Sequence, residues 1–167
     1  MIKRLLYTII PVLLLVSSCG FYSFSGTSIA PDVKTITIYP VENRALRINP
    51  RLSNNVTEAL MDKFRKLTKL TQVPQGGDLV LECQIISYET TSLGVTADEV
   101  ASKNRLTITM KVIFTNVKYP KESFDRNFAA FEDYPSTVSF DAAEANLVEQ
   151  IVEKLTEDIF NSTVANW

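Results

Sequence analysis

The stretch RLTITMKVIFT, residues 105–115, decides the fold. Leu106, Ile108, Met110, Val112 and Phe114 alternate with Thr107, Thr109 and Lys111. A period of two with one polar side is a half-buried β-strand. Working outward, LVLECQIISY (79–88) reads the same way, with Leu79, Leu81, Cys83 and Ile85 alternating with Glu82 and Gln84. Strands with one wet face suit an antiparallel sheet that is covered on one side only. Residues 92–104 are polar and join these two strands as a loop. Downstream, Tyr119-Pro120 within 116–121 ends the strand, and another runs from Ser123 to about Glu132, with a less regular pattern of Phe124, Phe128 and Phe131. Upstream, Val33–Val41 predicts a short strand, with Ile36 and Ile38 on one face and Thr35, Thr37 and Tyr39 on the other.

Two amphipathic helices flank these strands. Asn49-Pro50 predicts a helix start, with Asn as N-cap and Pro at the first helical position. Leu52, Val56, Ala59, Leu60, Phe64 and Leu67 then recur at spacings of three and four, which gives one apolar stripe. The turn cluster 74–78 (PQGGD) separates this helix from the strands. Asp141 to Glu144 has the spacing of a capping box, and Leu147, Val148, Ile151, Val152, Leu155 and Ile159 mark a helix reaching about Phe160. The order is β-α-β-β-β-α. One-faced helices and one-faced strands combine most economically as an α+β two-layer sandwich. The expected form is a four-stranded, mostly antiparallel (mixed) sheet with both helices on one face.

The N-terminus is an address label. Lys3 and Arg4 precede an apolar run from Leu5 to Val16, which is too short for a mature membrane span of about 20 residues. Val16-Ser17-Ser18-Cys19 follows and resembles the lipobox of bacterial lipoproteins. The expected organisation is a signal peptide (1–18), a lipidated tether (19–32) and one domain (33–167). Residues 19–167 hold 15 basic against 19 acidic side chains, so charge argues against nucleic-acid binding. Once Cys19 carries lipid, Cys83 is the only remaining thiol and no intrachain disulfide can form. The chain has no histidine. No GxSxG, Walker loop, HExxH or cysteine pair nominates a catalytic or metal site.

Charge is uneven between the helices. Residues 51–69 carry Arg51, Lys63, Arg65, Lys66 and Lys69 against Glu58 and Asp62. Residues 141–160 carry six carboxylates against Lys154. Mutual attraction of neighbouring helices accounts for this, as do cations at a helix C-terminus. A second account is contact with anionic lipid, since phosphates favour Arg and Lys.

Several stretches in order carry a family resemblance: CGFYSFSG (19–26), VKTI (33–36), ENRA (42–45), NRLTIT (104–109) and DIFNSTVANW (158–167). They resemble the lipopolysaccharide-assembly lipoprotein family LptE, in its Bacteroidetes form. The resemblance implies two helices against a four-stranded sheet and no enzymatic activity. It also implies no cofactor beyond the N-acyl and diacylglycerol groups (palmitate among the acyl chains) on Cys19. The implied place is the outer membrane, lipid-anchored on the periplasmic side. Gly20, where an inner-membrane retention aspartate would stand, agrees with this, as does the lack of acidic residues over 20–24. The implied partners are an LptD-like β-barrel, which the protein plugs and helps to assemble, and lipopolysaccharide, which the pair delivers to the outer leaflet. Only Cys19 carries over as a family site residue. The candidate lipopolysaccharide contacts are Arg65, Lys66, Lys69, Arg44 and Arg47. The competing reading is an accessory or pilotin-like lipoprotein of another envelope complex, and a periplasmic enzyme is the third.

Overall fold

The computed structural model describes residues 29–47, 49–94 and 103–164. The elements are β1 (Thr35–Ile38), β2 (Glu42–Asn43), α1 (Leu52–Leu67), β3 (Thr71–Gln72), β4 (Leu79–Leu93), β5 (Lys103–Asn116), β6 (Phe124–Pro135) and α2 (Phe140–Val164). A 3-10 turn at Pro120–Glu122 leads into β6. The class is the expected α+β, but the sheet has six strands in the order β3-β1-β4-β5-β6, with β2 also on β4. β4, β5 and β6 form an antiparallel meander. β1 runs parallel to β3 and β4, and β2 parallel to β4.

The two extra strands have simple causes. β1 and β2 follow one another along β4, with Ile38 opposite Leu81 and Glu42 opposite Gln84. They are one line of pairing interrupted at Pro40, which has no N–H to donate. β3 is created by tertiary contact: Thr71 N–H donates to the Lys34 carbonyl and Val73 N–H to the Ile36 carbonyl, both at 2.9 Å.

The alternation in β5 holds without a break, and Leu106, Ile108, Met110, Val112 and Phe114 are all buried. In β4 it does not. A bulge between Ile85 and Ser87 shifts the register by one residue. Leu79, Leu81, Cys83 and Ile85 face inward before it and Tyr88 after it, while Ile86 is left partly exposed. A one-residue shift changes which side chains face the core. β4 and β5 also pair farther than expected, to Leu93 opposite Lys103, which confines the connecting loop to residues 94–102. Residues 95–102 of that loop lie outside the described residues.

Both helices cover the same face. In α1, Leu52, Val56, Leu60 and Phe64 are buried, but Leu67 in the last turn is half exposed. The helix begins at Leu52 with Arg51 at the cap, so Asn49 is not the N-cap. The Asn49 side-chain oxygen instead accepts the Arg51 N–H at 3.0 Å. In α2, Leu147, Val148, Ile151, Val152, Leu155, Ile159, Phe160 and Val164 are buried. Glu149, Glu153 and Glu157 form the exposed face that the sequence indicated. Asn49 meets Glu144 near one end of the pair, and Phe64 stacks edge-on against Phe160 near the other, at 5.1 Å between centroids. The helices therefore run parallel, with both N-termini at the hairpin end.

A clip closes the opposite end. Asp78 accepts the backbone N–H groups of Lys34 (2.7 Å) and Thr35 (3.1 Å). Its own N–H donates to the Thr35 hydroxyl, and the Gly77 N–H donates to the Thr37 hydroxyl. Lys118 pairs with the same carboxylate at 3.1 Å. These bonds, led by the Lys34 N–H, hold the Asp78 carboxyl down at about 2.

Candidate functional site

The second face of the sheet carries no helix among the described residues, and its chemistry is polar. Thr91, Arg105, Thr107, Thr109 and Lys111 face outward, and β6 adds Asp125, Phe131 and Asp133. Arg105 makes a bidentate pair with Asp133, at 2.7 and 3.0 Å. Its guanidinium lies 3.7 Å from the Phe131 ring centroid. Each partner stabilises the other's charge, which lowers the Asp133 carboxyl and raises the Arg105 guanidinium. Lys111 pairs with Asp125 at 3.1 Å. Phe131 remains 46% exposed. The result is a pre-ordered Arg–Asp–aromatic patch on a threonine-rich plane, beside β6, the outermost strand among the described residues. Arg and aromatic side chains are the groups most enriched in interface anchors.

The structure divides the basic candidates between the two ends of the domain. Arg44 donates to Glu42 through both Nε (3.0 Å) and a terminal nitrogen (2.8 Å). Arg47 lies over the Phe140 ring at 4.3 Å and the Tyr88 ring at 5.9 Å. Both belong to the hairpin end and are already engaged. Arg65 and Lys66 share Asp62, at 3.1 and 3.8 Å. Lys69 is exposed, beside Lys34 and the start of the described chain. The five residues therefore do not form one site. Lys63 forms the cross-helix ion pair with Glu157, which lowers the Glu157 carboxyl and realises part of the attraction that the helix charges implied.

One arrangement left no mark on the sequence. The Tyr88 hydroxyl donates to Glu144 at 2.5 Å, and Asn49 donates to the same carboxylate oxygen at 3.1 Å. Burial, then the bond to Glu144, pushes the Tyr88 hydroxyl up. Glu144 is thus drawn into the seam between β4, the α1 entrance and α2. It does not close the capping box expected with Asp141, because α2 starts at Phe140, two residues before an Asp141 cap would allow. This network orders the hairpin end and presents no nucleophile.

Cys83 is a buried free thiol, which burial and then Glu82 push up to about 12. Among the described residues no His, Cys, Asp or Glu group could hold a metal. No described helix is long and apolar enough to cross a membrane. Cys19 lies outside the described residues.

Comparison with known proteins gives a family. The model described as "LptE: Lipopolysaccharide-assembly" matches residues 33–163, well over half of the chain. No curated protein sequence matches the chain. Solved structures share the fold at low identity. A minor lipoprotein from Acinetobacter baumannii is 12% identical, with a TM-score of 0.50 over 78% of this chain and 93% of that one. An uncharacterized lipoprotein B from Nitrosomonas europaea is 9% identical, with a TM-score of 0.51 over 78% and 85%. A hypothetical protein from Chlamydia trachomatis is 11% identical, with a TM-score of 0.50 over 80% and 99%.

Proposed function

The chain belongs to the LptE family of lipopolysaccharide-assembly proteins, and from that premise we propose that it is the small lipoprotein subunit of an outer-membrane lipopolysaccharide translocon. In this reading Cys19 carries the acyl groups and the domain faces the periplasm. The domain plugs an LptD-like β-barrel, helps it to assemble, and takes part in delivering lipopolysaccharide to the outer leaflet. The protein works by binding and not by catalysis. The observation that carries the reading is the family match, which spans β1 to the last turn of α2 and so takes in the whole folded domain.

The architecture supplies a surface suited to the task. One face of the sheet is spent on the helices, and the other offers hydroxyls, ordered ion pairs and the exposed Phe131 and Tyr39 rings. Such a face can lie against a mostly polar wall with its charges already paired. The long β4–β5 hairpin extends that face past the core, through exposed Glu89, Thr90, Thr91 and Ser92. Of the basic candidates, Lys66 and Lys69 remain in the proposal as anion contacts. Arg44 stands apart from them at the hairpin end, bound by Glu42, and Arg47 there covers the Phe140 ring.

The test is recovery of partners by the lipidated full chain after mild detergent extraction. Co-purification of a large β-barrel protein is expected, and Thr109→Arg on the open face should reduce it without altering the fold. If the barrel is absent and the components of another envelope complex are recovered, the accessory-lipoprotein reading replaces this one.

A further inference from the structure

The two edges of the sheet are not alike. β3, at one edge, has only 2 residues, too few to template another strand. β6, outermost at the other edge among the described residues, has 12 residues and pairs with β5 in unbroken register. Edge strands are ordinarily kept short or interrupted by bulges, prolines or charges, because their unpaired main-chain groups invite another strand. β6 has such guards at its ends, Asp125 and Arg126 at the start and Pro135 at the finish. Between them, Asn127-Phe128-Ala129-Ala130-Phe131 carries neither charge nor proline. The ladder fixes which groups are open. The Val117 N–H donates to the Asp78 carbonyl across β4 and β5, and such pairs recur at every second residue of an antiparallel ladder. Carried through β5, this turns the main-chain groups of Phe124, Arg126, Phe128 and Ala130 toward β5, and those of Asn127, Ala129 and Phe131 away from the sheet. The Phe131 carbonyl agrees, since it accepts from Lys154 of α2 at 3.4 Å.

A groove runs along this edge, between residues 129–132 of β6 and one face of α2. It is acidic. Glu132, Glu153, Glu157 and Asp158 line it, and Lys154 is the only cation among the described residues that do so. Lys154 is held by Glu132 at 2.5 Å, and Glu157 by Lys63 of α1. Glu153 and Asp158 are exposed and form no ion pair with a described residue. On the open face of the same edge stand Ala129 and the half-exposed Phe131 ring. One side of the edge is therefore anionic and the other apolar, with unpaired main-chain donors and acceptors between them.

Resting on the reading that the domain works by docking on a protein partner, we propose that the β6 edge takes up an extended segment of that partner as a further strand, with Lys or Arg side chains directed at Glu153 and Asp158 and aliphatic or aromatic side chains beside Ala129 and Phe131. A strand shows its side chains to opposite faces in turn, so one face of the segment is basic and the other apolar. The main chain supplies affinity and the alternating side chains supply specificity. On docking, the segment displaces the Lys154 ammonium from the Phe131 carbonyl. A closed barrel wall has no edge of its own to offer, so a segment of a barrel partner that pairs here comes from a stretch outside the wall strands.

The probe is a capped, fluorescent peptide of about eight residues in which valine alternates with lysine. It is titrated onto the full chain in a non-ionic detergent and followed by anisotropy. N-methylation of one alternate set of peptide residues, those whose N–H faces β6, should weaken binding at least about tenfold, and N-methylation of the other set should leave it nearly unchanged. Ala129→Pro removes an outward N–H and leaves the β5 ladder its donors, and it should weaken binding to the same degree. Glu153→Gln/Asp158→Asn should lower affinity about fivefold. Circular dichroism checks the fold of each variant, and the methylated peptides test the pairing with no change to the protein. Absence of binding by the parent, or equal effects of the two methylated sets, overturns the inference. So does full affinity in Glu153→Gln/Asp158→Asn. In the recovery of partners, Ala129→Pro should also diminish the co-purified barrel, and undiminished recovery overturns this inference alone. Patterned peptide binding by a chain that recovers no barrel supports the edge and overturns the translocon reading.

Discussion

Gly77→Ala adds one methyl group where β1 meets the turn before β4. An ideal Cβ at Gly77 would lie 2.6 Å from the Thr37 nitrogen, 2.8 Å from the Ile36 carbonyl carbon and 2.8 Å from the Leu79 carbonyl oxygen. All three are backbone atoms, so no side chain can rotate away. Non-bonded carbon contacts settle near about 3.5–4.0 Å, so β1 and the turn must separate by several tenths of an ångström. The Gly77 N–H to Thr37 hydroxyl bond spans 3.0 Å and the Asp78 N–H to Thr35 hydroxyl bond 2.9 Å. That movement stretches both toward the limit of a hydrogen bond. Overpacking costs about 1–3 kcal/mol, and each weakened bond adds about 1 kcal/mol. The expected loss is about 3–5 kcal/mol, a large part of a typical total of about 5–15 kcal/mol. Urea denaturation of a soluble form starting at Gly20 measures it, and the midpoint should fall by about 2–3 M for an m-value of about 1.5 kcal/mol/M. Gly76→Ala is the control. Nothing lies within 4 Å of a Cβ there, but φ is +70°, so the cost is the left-handed penalty alone, about 1 kcal/mol. If Gly77→Ala falls within about 0.5 kcal/mol of the parent, or costs less than Gly76→Ala, the close approach of β1 is wrong.

Three further outcomes are expected. The folded-state carboxyl of Asp78 is held at about 2 against 3.8 unfolded. Its contribution is therefore present above pH 4 and is lost as pH falls from about 4 through 2, and Asp78→Asn should flatten that part of an acid-denaturation profile. Leu60→Ala and Ile151→Ala, both at fully buried positions, should each cost about 2–5 kcal/mol, whereas Glu153→Ala on the exposed face should stay within about 0.5 kcal/mol; comparable losses at all three would refute the assignment of helix faces. Cys19→Ala should abolish metabolic fatty-acid labelling and leave the precursor uncut, and labelling equal to the parent's would refute the lipoprotein reading.

The strongest features of the fold were legible because they are periodic. β5 alternates without interruption, and its five inward side chains could be named from their spacing. The α2 stripe survived for the same reason. Tyr88 could not be placed, because the bulge at Ile85–Ser87 changes the inward parity and leaves no turn residue to announce it. β3 was hidden because two residues have no period, and its pairing depends on carbonyls of Lys34 and Ile36 more than thirty positions away. Leu67 fits the α1 stripe by spacing, yet the last turn of the helix overhangs the core and exposes it. The structure separates the basic candidates for a related reason. Charge along the chain records the cations but not their partners, and Glu42 or the Phe140 ring determine whether Arg44 or Arg47 is available.

That clip also bears on the order in which the chain assembles. β4, β5 and β6 pair with their sequence neighbours, whereas Asp78 must find Lys34 across 44 positions, with all of α1 between them. Closing so long a loop costs entropy before any contact offsets it, so the meander is the natural nucleus and β1 docks after the rate-limiting barrier. A perturbation at Gly77 or Asp78 should then leave the refolding limb of a chevron almost unmoved and raise the unfolding limb by nearly the whole loss in stability, whereas Ile108→Val in the meander should slow refolding. The end of the molecule that holds Asp78 and Lys34 is in this sense the last to close and the first to open. The lifetime of the folded domain is set there.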